Sequence, residues 1–332
     1  MSNPELEQKF EQFRKDFEGL RREIAKAIVG QQAAVEGLLT AMVVGGHVLL
    51  EGLPGLGKTA LAQTLADVVD VTFQRIQCTP DLMSADIIGT YVIMETPQGR
   101  RTFEFQRGPL FSNIVLADQI SRATPKTQSA LLEAMDDTTV TVSTETSELP
   151  LPYFVIATQN PLEFEGTFPL PEAQLDRFLF KLTMDRPTSE EIETILDRTT
   201  ESQAVVVQPV VDGPRILEMG ELVRQVKIEA DLRRQAIRLV TSTDPADPAA
   251  PESVRRNVAH GAGPRGAQAL ILAAKTQAIL AGRADVAPAD IRRVYAMALR
   301  HRIALNFDGQ AEGISPDSLL EEIAGRTLGL AN

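Results

Sequence analysis

The sequence predicts an α/β fold, a parallel sheet covered by helices on both faces, followed by a smaller all-helical domain. Three observations carry this. Short apolar runs bounded by turn residues recur through the first half of the chain, and helical patterns separate them. After about Arg186 the apolar runs give way to helix-like spacing. The 332 residues are enough for about two domains.

In chain order, Phe10, Phe13, Phe17 and Leu20 repeat with the period of one helix face, which gives an amino-terminal helix over 1–27. "AAVEGLLTAMVVGG" continues helical and stops at Gly45-Gly46. "HVLLEG" is a buried strand, and a glycine-rich loop leads from it into the helix "KTALAQTLADVV". Further strands are expected at "TFQRIQ", "NIVLAD", "YFVIATQN" and "FLFKLTM", which completes an α/β core over 28–186. Two hairpins interrupt it, at about 91–107 with a turn around Pro97-Gln98-Gly99, and at 138–153. A linker and helix follow over 187–211, then a helical domain over 212–332 in which "PADPAAPESVRRNVAHGAGP" is expected to be a long loop.

The bulk numbers exclude several classes. At 43% hydrophobic and 23% charged the chain has ordinary globular usage. A net charge of -12 and a pI near 4.9 disfavour binding to a polyanion. Cys78 is the only cysteine, which suits a reducing compartment, and no apolar run is long enough for a membrane span, so a cytoplasmic location is expected. The three histidines show no metal-ligand spacing.

Gly52-Leu53-Pro54-Gly55-Leu56-Gly57-Lys58-Thr59 matches G-x-x-x-x-G-K-[ST] between a strand and a helix, the context in which such a loop cradles phosphates. Backbone amides of Pro54–Ala60, where present, turn toward phosphate oxygens. Lys58 is expected at the β- and γ-phosphates of ATP or ADP, and the Thr59 hydroxyl on Mg²⁺. Asp118 ends an apolar strand and is the second candidate for Mg²⁺. The next residue is Gln119. An amide orients water but takes no proton, so hydrolysis is expected to be strongly impaired. A natural pseudo-ATPase and a Glu→Gln change introduced to trap the ATP-bound form are both open; the second is preferred because only this position breaks the pattern.

These segments, with "QCTPDLMSADIIGTYV", "VIATQNPLEFEGTFPLPEAQLDRFLFKL" and "GAGPRGAQALILAAKTQAILAGRADVAPADIRRVYAMALRHRI", resemble the MoxR family of AAA+ ATPases over nearly the whole chain. Gln119 is the departure, since the family pattern has Glu there. The resemblance implies that Asn160 is the sensor-1 residue, Arg177 the arginine finger of a neighbouring subunit, and Arg265 the sensor-2 residue of the lid. It also implies that Val29, Gly30 and Gln31 line the adenine and ribose, and that Arg122 lies near a subunit interface. ATP is expected between the α/β core and the lid of a hexameric ring. The implied partner is a protein with a von Willebrand factor A domain. The hairpins, with Glu95, Arg100, Arg101 and Glu104, are expected either to project into a central pore or toward a partner, as the family's wider clade implies, or to decorate the surface. A nucleic-acid motor and a non-hydrolysing nucleotide-gated scaffold are the competing functions; the acidic charge and scarcity of Tyr and Trp weigh against the first.

Overall fold

Apolar strands of four to six residues, buried on both faces, assemble the core of the computed structural model, which describes residues 4–95, 101–142, 145–163, 166–200 and 205–329. Two helices come first, α1 (Pro4–Ala27) and α2 (Gln32–Val44). Then follow β1 (Val48–Glu51), α3 (Lys58–Val69), β2 (Phe73–Gln77), α4 (Ser84–Ile88), β3 (Gly89–Glu95), β4 (Arg101–Arg107) and β5 (Ile114–Asp118). The core continues through α5 (Pro125–Asp137), β6 (Thr139–Val142), β7 (Glu145–Glu148), β8 (Phe154–Gln159), α6 (Glu172–Leu175) and β9 (Phe180–Thr183). Five of these strands form one parallel sheet in the order β2-β5-β8-β1-β9, and they are the five expected from the sequence.

Strand alternation assigns each side chain to one of two layers. Val48, Leu50, Ile114, Leu116, Phe154, Ile156, Phe180 and Leu182 face α1, α2 and α3 in one apolar cluster. Leu49, Val115, Ala117, Val155 and Ala157 face the other way, onto Leu131, Leu132 and Met135 of α5. Phe10, Phe13, Phe17 and Leu20 of α1 are all buried, as their spacing requires.

The two hairpins are antiparallel pairs, β3 with β4 and β6 with β7. Tyr91 Oη ties them together by donating to Glu145 Oε2 at 2.6 Å. The turn at Pro97-Gln98-Gly99 and Arg100 lie outside the described residues. Glu95, Arg101 and Glu104 are exposed on the hairpin, where Glu95 stands opposite Arg101.

After β9 come α7 (Ser189–Thr200), α8 (Gly213–Gln225), α9 (Ala230–Thr241), α10 (Glu252–Asn257), β10 (Val258–His260), α11 (Pro264–Leu280), α12 (Pro288–Leu299), β11 (Ala304–Leu305), α13 (Phe307–Ala311) and α14 (Pro316–Thr327). Two expectations are corrected. The carboxyl-terminal half is not purely helical, because β10 pairs antiparallel with β11. The expected long loop contains both α10 and β10; Pro251 starts the helix at a position where its missing N–H costs nothing.

Candidate nucleotide site

Because the strands run parallel, their carboxyl ends share one edge of the sheet, where α/β proteins bind ligands. There β1 runs into the Gly52–Gly57 loop, β5 ends in Asp118, and β8 ends in Gln159 followed by Asn160. Residues 54–59, Arg75, Asp118, Gln119, Thr158, Gln159 and Asn160 line one cavity of about 390 Å³. Gly55 and Gly57 sit at φ 83° and 82°, and a Cβ at either would meet nothing within 4 Å. Backbone conformation therefore demands glycine there, and the space in front of the loop is open to a ligand.

Lys58 Nζ folds back onto its own loop, donating to Gly52 O at 2.6 Å and Leu53 O at 2.8 Å. Burial pulls its pKa below the ordinary lysine value, against the opposing charges of Asp118 and Glu163. Thr59 occupies the first turn of α3 and is half-buried; Ala60 is exposed and outside the cavity lining. The donor set fits Mg²⁺, which takes one or two protein oxygens and completes its shell with phosphates and water. Thr59 and Asp118 would supply those oxygens. Among the described residues no cluster of three His, Cys, Asp or Glu side chains offers a metal cage of its own.

Asp118 is buried, with 8% of its surface exposed, and both of its oxygens are engaged. Oδ1 accepts from Thr158 Oγ1 at 2.7 Å, and Oδ2 accepts from Arg75 Nη2 at 2.6 Å and Nε at 3.2 Å. Gln119 sits in the left-handed region at φ 59°, and its N–H donates to Thr158 Oγ1 at 2.8 Å. Its Oε1 accepts from Arg122 Nη1 at 3.3 Å and from Gln77 Nε2 at 3.4 Å. Asn160 lines the cavity while its Oδ1 accepts from Leu162 N at 3.2 Å. Arg75 and Thr158 were absent from the sequence expectation. A lone arginine in the strand "FQRIQ" and a lone threonine near the end of "FVIATQ" were the available signals.

Val29, Gly30 and Gln31 do not join this cavity. Gln31 Nε2 donates to Asp185 O at 2.7 Å, just past β9, and Gly30 lines a separate cavity of about 470 Å³ between α1 and Arg293 of α12. That larger cavity has no phosphate-binding loop. Gly30 sits at φ 67°, a conformation that favours glycine, with the end of the Glu191 side chain against it.

Arg177 and Arg265 gather elsewhere, on the carboxylate of Asp136. Arg177 Nε lies 3.3 Å and Arg265 Nη2 3.7 Å from Asp136 Oδ2, so Arg177 pairs with neither Asp176 nor Glu172. This cluster is at the opposite edge of the sheet. Met135, next to Asp136, accepts a hydrogen bond from His47, which immediately precedes β1, and Leu179 N donates to His47 O. A strand's length, about 13–20 Å at ~3.3 Å per residue, separates it from the phosphate loop. Arg265, at the amino end of α11, therefore lies at the far edge of the sheet from the phosphate loop of its own chain.

Comparison with known proteins agrees with this architecture. Residues 47–180 match the model of the ATPase family associated with various cellular activities, and residues 252–323 match the AAA lid domain. The chain is 42% identical to Chaperone MoxR1 of Mycobacterium tuberculosis over 91% of this chain and 79% of that protein. It is 31% identical to Protein MoxR of Methylorubrum extorquens over 89% of this chain and 90% of the other. A crystal structure from Cytophaga hutchinsonii, assigned as an ATPase, superposes with a TM-score of 0.89 at 39% identity, covering 98% of both chains.

Proposed function

The chain belongs to the MoxR family of AAA+ ATPases, and we propose that it binds ATP with Mg²⁺ at the Gly52–Thr59 loop, closes into a hexameric ring, and acts as a chaperone-like factor on a separate protein carrying a von Willebrand factor A domain. One observation supports the ring above the others. The phosphate cavity and the Arg177–Arg265 pair occupy opposite edges of one sheet, so an arginine finger can complete a site only on another copy. Such a head-to-tail contact is heterologous, and it closes into a ring when the rotation per subunit permits.

In this reading, Lys58 exchanges its two loop carbonyls for the β- and γ-phosphates, and the loop amides hold the remaining oxygens. Mg²⁺, when bound, neutralises phosphate charge next to Asp118 and Thr59. Gln119 orients a water without taking its proton, and Asn160 stands beside it. Arg177 of the adjacent copy meets the terminal phosphate, a contribution of about 10³–10⁵ in related chemistry. Arg265, sharing Asp136 with Arg177, arrives with it. The described residues include no helix long and apolar enough to cross a membrane. The partner's class rests on the family, and the cytoplasmic reading on the single cysteine of the sequence.

Sedimentation velocity with and without ATP and Mg²⁺ tests the assembly. A nucleotide-dependent shift to a closed oligomer, absent in Lys58→Ala, is expected; a monomer under both conditions removes the ring. The Gln119 amide favours a second reading, a nucleotide-gated scaffold that never turns over. The acidic charge of the chain disfavours a nucleic-acid motor.

A further inference from the structure

Arg75 lies on β2, the strand that pairs with β5 at the sheet edge, and the register sets Gln77 opposite Asp118. Two residues back, on the same face, the Arg75 guanidinium reaches Asp118 Oδ2 through both Nη2 and Nε, and it also donates to Gln77 Oε1. The Thr158 hydroxyl holds the other oxygen. The two partners differ in freedom. The Asp118 side chain is 12% exposed and fixed in the sheet, whereas the Arg75 side chain is 45% exposed and lines the phosphate cavity.

A divalent cation brought in by phosphates meets that same carboxylate. Two cations at one carboxylate oxygen repel each other, and the half-exposed guanidinium is the one that can leave. We propose that Arg75 is the resident counter-ion of Asp118 and that magnesium nucleotide binds by exchange, the metal displacing the guanidinium. This rests on the nucleotide reading of the Gly52–Thr59 loop. It gives Arg75 opposite effects in two conditions. Without metal, Arg75 screens the Asp118 charge from incoming phosphates and aids binding. With metal, Arg75 must be moved and opposes it.

The test titrates fluorescent ATP and ADP analogues into the 332-residue chain, once in EDTA and once with Mg²⁺. Removal of two charge-assisted hydrogen bonds from a half-exposed pair should raise the ratio of the EDTA Kd to the Mg²⁺ Kd by about fivefold to tenfold in Arg75→Gln. Arg75→Lys, which keeps the charge but loses the fork, should fall between that variant and the unchanged chain. An unchanged ratio overturns the proposal, as does an equal loss in both conditions, the mark of a merely structural role. A loss confined to Mg²⁺ and greater for ATP than for ADP also overturns it, by making Arg75 a direct phosphate ligand. If the unchanged chain binds the ATP analogue no better than Lys58→Ala, the loop reading itself fails and this proposal falls with it.

Discussion

At position 119 a glutamine is held in a left-handed backbone conformation that L side chains rarely adopt, anchored by Thr158 and faced by Arg122. Strain of this kind persists where the surroundings fix it, and here it aims one side chain into the phosphate cavity. Glutamate is nearly isosteric and would occupy the same place with Arg122 beside its carboxylate. Gln119→Glu is therefore expected to raise single-turnover hydrolysis by about 10²–10⁴-fold with nucleotide affinity little changed, as read by rapid-quench measurements. Unaltered turnover would favour the scaffold reading. His47 offers a separate prediction. Val155 N–H donates to its Nδ1, so Nε2 carries the proton and donates to Met135 O. Burial lowers its pKa to about 4, against the opposing Met135 carbonyl. The unfolded chain takes up a proton near pH 6.5 while the folded one does not. Stability is thus complete above that pH and falls as pH drops toward 4, by on the order of 3 kcal/mol. Buried His301 shifts in the same direction and adds to the loss. Urea midpoints at pH 7.5 and 5 should show the fall, and His47→Gln should be weaker at neutral pH but flatter across the range.

The turn between α12 and β11 grips the turn between α6 and β9 that carries Arg177, the proposed finger. Arg302, almost wholly buried, donates through Nε to Asp176 Oδ1 at 2.7 Å and through its Nη atoms to the carbonyls of Asp176, Phe178, Leu179 and Ala298. Of these, Asp176 and Phe178 flank Arg177. Arg302→Met leaves Asp176 and several carbonyls without partners, and a loss of about 3–5 kcal/mol is expected in urea unfolding. A cost below 1 kcal/mol would show that water replaces the guanidinium. Elements of this kind were the hardest to read in advance. The five sheet strands and α1 were legible because burial on two faces or one imprints continuous or periodic apolar spacing. So was the phosphate loop, since its glycines, lysine and threonine act through local backbone geometry. Arg75 was not, because its partner lies 43 positions away and only the β2–β5 register joins them. Strands β10 and β11, of three and two residues, are too short to leave any alternation. The edge that Arg265 meets was not legible for a third reason: helix packing, which no local pattern records, decides where α11 lies.

Across the whole molecule, the candidate nucleotide cavity lies on one edge of the sheet and Arg177, the proposed finger, on the other. In a Gln119→Glu background, Lys58→Ala disables the cavity and Arg177→Ala disables the finger. Each alone should be nearly inactive, and mixing them should restore steady-state hydrolysis to a fraction set by the number of seams that keep both halves. No recovery on mixing would mean that Arg177 does not act on a neighbour. The apolar interior has an equally global consequence. Phe13 and Phe17 of α1 belong to the same continuous cluster as Leu38, Val223, Leu239, Leu270, Val294 and Leu320, so one interior runs from the sheet through the helices of the carboxyl-terminal half. During synthesis α1 emerges long before α11 and α12 exist. Its packing on α2 and α3 can form early, but the side of it that α11 covers must wait for the last helices, and the lid can then settle only on a surface that α1 has kept open for it.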